Sequence, residues 1–129
     1  MAKPTDVFWN ELAKDLEDPE FLRDYIIESI RIDAIDNVMN KLESARDEAG
    51  ISKAELARAT NMTPASLRRL LSSKSVNPTI GTLAEIAAVL GYEVGLVPLS
   101  RELSDAITVP LRTGKSADTL ALARQFAPR

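Results

Sequence analysis

Between Gly50 and Gly91 the chain carries three sets of helix start and stop signals, so those residues have room only for short helices joined by tight turns. Gly50 tolerates the left-handed backbone that ends a helix. Ser52-Lys53-Ala54-Glu55 then reads as a capping box, in which a hydroxyl and a carboxylate each satisfy an unpaired backbone N–H at a helix start. Ile51 and Leu56 stand where a hydrophobic staple joins them. The spacing predicts a brief helix over 53–59, followed by Asn61, a non-glycine residue tolerant of left-handed geometry. Thr63-Pro64 opens a second helix, with Met62 and Leu67 as its staple and Leu67 and Leu70 on its inner face. A polar loop from Ser72 to Pro78 ends at Thr79, the cap of a third helix over 80–90 that buries Leu83, Ile86, Ala87 and Leu90 and stops at Gly91.

The flanks are helical as well, with one exception. Val7, Phe8, Leu12 and Leu16 repeat at helical spacing over 5–16, and Asp18-Pro19 supplies a cap residue and a proline suited to a first helical position. From Glu20 an apolar stripe through Leu22, Ile26, Ile30, Ile35, Val38, Met39, Leu42 and Ala45 runs to Ala49 as one helix, or as two joined near 31–36. The exception is 92–98, β-branched, apolar and ended by Pro98, which reads as a strand. A lone strand needs a partner within the chain or in a second copy. The tail, with Pro110, Gly114 and Pro128, allows short helices at 101–107 and 117–126. Four segments result: an N-terminal helical arm over 1–34, a helical domain over 35–91, a strand over 92–99 that is a candidate dimerisation element, and a tail over 100–129.

A chain of 129 residues suffices for one ordinary core without covalent staples. It contains no Cys and no His, which removes disulfides, thiol chemistry, zinc fingers and Ser/His nucleophile systems. No catalytic constellation, metal site or cofactor is expected. Gly114-Lys115-Ser116 imitates the end of a P-loop, but Val109 stands where that motif needs glycine. Asp15, Glu17, Asp18 and Glu20 read as a solvated, helix-starting acidic patch. The N-terminus leads into a charged segment instead of an apolar run, so no membrane partner and a cytoplasmic location are expected.

A net charge of −3 looks unpromising for a partner rich in phosphate. The average hides a division. Residues 1–49 hold 6 Lys/Arg against 13 Asp/Glu, a net of −7, whereas 50–78 hold Lys53, Arg58, Arg68, Arg69 and Lys74 against Glu55 alone, a net of +4. The remainder is neutral. Four of the six aromatics, Phe8, Trp9, Phe21 and Tyr25, lie in the acidic portion, where they either pack the arm or present an interaction surface.

The helix pair has the arrangement in which a second helix enters the DNA major groove. The run Leu42, Arg46, Gly50-Ile51-Ser52-Lys53, Glu55-Leu56-Ala57, Asn61-Met62-Thr63, Leu67, Leu70, Pro78-Thr79-Ile80, Thr82-Leu83, Ile86-Ala87 and Leu90-Gly91 resembles the phage-repressor, Xre-type helix-turn-helix family over 37–91. More narrowly, Leu71-Ser72-Ser73 leading to Asn77-Pro78-Thr79, the ending Leu96-Val97-Pro98 and the upstream Asp18-Pro19-Glu20-Phe21 are similar to HigA-like antitoxins. The resemblance implies an all-α fold: a five-helix repressor-type domain with an added N-terminal arm and one short C-terminal β-strand. It implies a homodimer on double-stranded operator DNA that neutralises a toxin protein, usually a small messenger-RNA-cleaving one, and represses its own operon.

Position by position, the resemblance places Thr63, Pro64, Ala65, Ser66, Arg68 and Arg69 at the start and outer face of the recognition helix. Arg69 is the expected base reader, since a guanidinium can bond guanine O6 and N7 together. Ser66 is a base-edge or phosphate contact, and Arg68 a phosphate contact. Ser52 and Lys53, with Lys74 in the loop, are expected to hold the DNA backbone. The sequence departs from the family at Pro64 and Ala65, where polar base readers are common, and at Lys53, where Gln is usual. Two alternatives remain: a stand-alone transcriptional regulator without a toxin, and a protein-interaction adaptor that has lost DNA binding.

Overall fold

The computed structural model describes residues 4–72 and 77–126. Among them are seven α-helices: α1 (Pro4–Asp15), α2 (Pro19–Ala49), α3 (Lys53–Ala59), α4 (Pro64–Ser72), α5 (Ile80–Val89), α6 (Arg101–Thr113) and α7 (Thr119–Gln125). They build two compact units, one from residues 33–97 and one from 1–32 together with 98–129.

The expected five-helix domain is corrected to four helical segments in the 33–97 unit: the C-terminal part of α2, then α3, α4 and α5. Nothing between Pro19 and Gly50 breaks a helix, so the arm's helix and the domain's first helix are one element of 31 residues. Asp18 starts it: its carbonyl accepts from the Leu22 N–H at 2.9 Å and its carboxylate from the Glu20 N–H at 3.3 Å. Gly50, at φ 69°, ends it.

The predicted C-terminal strand is also corrected. Residues 92–97 have no strand geometry, and no strand occurs among the described residues. A strand exists by its ladder, and residues 93–97 take part in no backbone hydrogen bond with a described residue that would build one.

The core of the 33–97 unit is Met39 and Leu42 of α2, Leu56 and Ala57 of α3, Leu67 of α4, and Ile86 and Ala87 of α5. Ile51 and Met62, the two staple residues, pack against it. In the other unit, Leu16, Leu22, Ile26, Leu122 and Ala123 form the centre, surrounded by Trp9, Leu12, Tyr25, Ile107, Leu111 and Phe126. Polar anchors fix the tail there. The Tyr25 hydroxyl donates to the Ala123 carbonyl at 2.8 Å, and Arg23 Nε donates to the Leu111 carbonyl at 3.1 Å, capping the end of α6. Gly114 follows at φ 77°, so close to α2 that an added Cβ would lie 2.9 Å from the Pro19 Cβ. No described helix is long and apolar enough to cross a membrane.

Candidate nucleic-acid interface

The α3–turn–α4 segment is fixed at each joint by a local bond that its sequence dictates. Ser52 is the N-cap of α3, its hydroxyl accepting from the Glu55 N–H at 3.1 Å. The hydroxyl half of the capping box is thus formed, while no hydrogen bond returns from the Glu55 carboxylate. At the other end Thr60, 8% exposed, turns its hydroxyl back onto the Leu56 carbonyl at 2.8 Å and the Ala57 carbonyl at 3.3 Å. Asn61 takes φ 59°, and the Met62 N–H then reaches the Ala57 carbonyl at 2.9 Å. One left-handed residue therefore turns the chain from α3 into α4.

Thr63 caps α4. Its hydroxyl accepts from the Ser66 N–H at 3.1 Å and donates to the Ser66 hydroxyl at 2.8 Å. Pro64 occupies the first helical position, where its missing N–H costs nothing. Leu67 is wholly buried and Leu70 and Leu71 half-buried, which turns the opposite face outward. Ala65, Arg68, Arg69 and Ser72 are all exposed and follow the i, i+3, i+4, i+7 spacing of one helical stripe. No described residue pairs with either guanidinium. Ser66 sits half-buried at the edge of that stripe, and Pro64 and Thr63 are exposed at its N-terminal end.

Lys53 is half-buried in the first turn of α3, beside exposed Ser52. Of the nine residues singled out from the sequence, eight fall on this α3–α4 element. Lys74 lies outside the described residues.

Sequence reasoning missed Glu43 and the role of Arg46. Arg46, near the end of α2, grips the Glu43 carboxylate through Nη2 at 2.6 Å and Nε at 3.1 Å, and its Nη1 donates to the Ile51 carbonyl at 2.7 Å. This ties the end of α2 to the residue immediately before the Ser52 cap, and so sets where α3 begins. The hydrogen bonds from Arg46 hold the Glu43 carboxyl below the usual carboxylate range, against an opposing push from burial. A Glu–Arg pair at i, i+3 near a helix end was the available signal. A second such contact places the Lys41 ammonium 5.7 Å from the centre of the Tyr92 ring, just after α5.

A short helix with a solvent-facing stripe carrying two guanidinium groups, braced from behind by a capped partner helix, can insert into the major groove while leaving its own backbone satisfied. Among the described residues no group of His, Cys, Asp or Glu could hold a metal ion. Residues 42–97 match a helix-turn-helix family, which supports the Xre-like resemblance for that segment. No curated protein and no solved structure matches the chain.

Proposed function

We propose that this chain is a sequence-specific, DNA-binding transcriptional regulator that acts as a homodimer. The observation that carries the reading is the exposed stripe Ala65, Arg68, Arg69 and Ser72 on a capped α4, within the segment of net charge +4. Arg69 reads a base edge, Arg68, Lys53 and Lys74 meet phosphate, Ser52 at the start of α3 adds a backbone N–H contact to phosphate, and Ser66 adds a hydroxyl contact. Thr63 and Pro64 set the helix start, and Ala65 offers a methyl to a thymine methyl. Two copies on half-sites one helical turn apart give the usual target of this motif. Selection from a random duplex pool tests it: enrichment of a two-fold-related motif is expected, and binding of all sequences equally would refute it.

A second reading, an antitoxin that also binds a toxin protein, is favoured by the separate unit of 1–32 and 98–129. Phe8, at 57% exposed, and Phe21, at 39%, stand there within the acidic portion of the chain. Co-expression with the product of the adjacent reading frame is the test. A small basic protein that copurifies supports it; a product that does not bind refutes it.

A further inference from the structure

Residues 92–97 run out from the end of α5 with their apolar side chains in solvent. Leu96 is 103% exposed and Val97 85%, while Val94 and Tyr92 are about half exposed. The segment borders an open groove of about 650 Å³ whose other walls are Val38, Lys41 and Leu42 of α2 and Leu83 and Ala87 of α5. Only the first residue is anchored: the Tyr92 N–H donates to the Ala87 carbonyl at 2.8 Å, and its ring takes the Lys41 ammonium. From 93 to 97 no described residue forms a backbone hydrogen bond with the segment. An exposed, largely apolar run with free N–H and C=O groups is a template for strand pairing.

We infer that a second copy of this chain pairs with residues 93–97 as an antiparallel strand, about a two-fold axis at Gly95. The register follows from the ends of the free tract. Tyr92 is already bonded, and Pro98 has no N–H to offer, so the five residues between them are centred on Gly95. There the two backbones face each other, and Gly95 has open space around it, an added Cβ meeting nothing within 4 Å. Val94 then lies opposite the second copy's Leu96, twice over, which is the apolar cross-strand pairing that stabilises a sheet.

The exposed fractions of Val38, Tyr92, Val94, Leu96 and Val97 amount to just over three fully exposed residues in each copy. Full burial of these residues in both copies would remove about 1,000 Å² from solvent, the lower bound for a specific interface, before the groove walls and backbone are counted. The pairing rests on the regulator reading for why two copies are needed, and it names where they join.

The absence of cysteine makes the test clean. Gly95 lies outside the left-handed region, so Gly95→Cys adds no backbone strain. Directly opposed antiparallel residues stand within disulfide reach. Under mild oxidation the full-length Gly95→Cys chain is expected to form a disulfide dimer more than tenfold faster than Ala84→Cys, whose site is an exposed position on α5. In sedimentation, Leu96→Asp, at a fully exposed position that leaves the fold intact, is expected to weaken self-association at least tenfold at unchanged helicity. Cross-linking no faster than Ala84→Cys, or self-association of Leu96→Asp equal to the parent, overturns the inference. An enriched DNA motif in that event leaves the regulator reading standing; a cross-linked dimer that enriches no motif leaves the pairing standing without it.

Discussion

Replacing Arg46 by Met keeps the aliphatic stem and removes the guanidinium that links the end of α2 to the start of α3. Two losses follow. The Ile51 carbonyl loses a charged donor at 2.7 Å, a bond of about 1.5–3 kcal/mol. The Glu43 carboxylate loses two bonds, but its side chain is 36% exposed and recovers water, so that share is about 1 kcal/mol at most. Arg46→Met is therefore expected to destabilise the 33–97 unit by about 2–3 kcal/mol at neutral pH. Urea unfolding followed by far-UV circular dichroism measures it, while fluorescence of Trp9, which packs in the other unit, serves as an internal reference. The pH dependence separates the two parts. Because Glu43 titrates below the ordinary glutamate range in the folded chain, its contribution is whole above that range and is lost as pH falls through its lowered folded value. The gap between parent and Arg46→Met should narrow in acid by the Glu43 share and keep the Ile51 share; Glu43→Gln should remove the acid-sensitive part alone. The reasoning fails if Arg46→Met stays within about 0.5 kcal/mol of the parent, or if Glu43→Gln costs as much as Arg46→Met.

Arg69→Ala is expected to weaken specific binding by about 1–3 kcal/mol and relax specificity at one base pair, while Lys53→Ala weakens all sequences alike and lowers the salt slope by about 1; titrations on selected and random duplexes distinguish them, and equal losses on both for Arg69→Ala would remove its role as base reader. Gly114→Ala is expected to cost about 2 kcal/mol or more, since it adds a left-handed alanine and a Cβ 2.9 Å from the Pro19 Cβ. A Trp9 fluorescence melt reads that loss, and an unchanged midpoint would contradict the close approach.

What was legible in the sequence was local. Ser52, Asn61, Thr63 and Thr79 each act within three or four residues of themselves, so their identities suffice to place α3, α4, α5 and the turns. Arg46 acts across the α2–α3 joint, and its carbonyl partner has no sequence signature. The apolar stripe of α2 loses its phase near 31–36 because its two halves serve different cores, Leu22 and Ile26 in one and Met39 and Leu42 in the other. Read alone, that break resembles a helix end. Pro110 likewise suggests a stop, yet α6 continues to Thr113 because Ile107 and Leu111, on either side of the proline, pack against the core. For 92–97, β-propensity pointed to a strand and those residues form none, since pairing depends on a neighbour that a single sequence does not contain.

The salt dependence of DNA binding follows from the position of the charge and not from its total. Residues 50–78 carry five cations per copy, and the proposed reading commits Arg69 to a base and Lys53, Arg68 and Lys74 to phosphates. Two copies would then neutralise six phosphates, and log K should fall with log salt at a slope of about −5, against about −3 for one copy. The Arg46 guanidinium is spent on Glu43 and Ile51 and does not add to this count. The acidic residues of 1–49 do not enter the slope either, because it counts counterions released from DNA by cations in contact. A slope of about −3 would mean that one helix pair is engaged at a time, and would sink the two-half-site reading. A slope steeper than about −9 exceeds what all five cations of both copies supply, and would place the DNA against a surface other than α3 and α4.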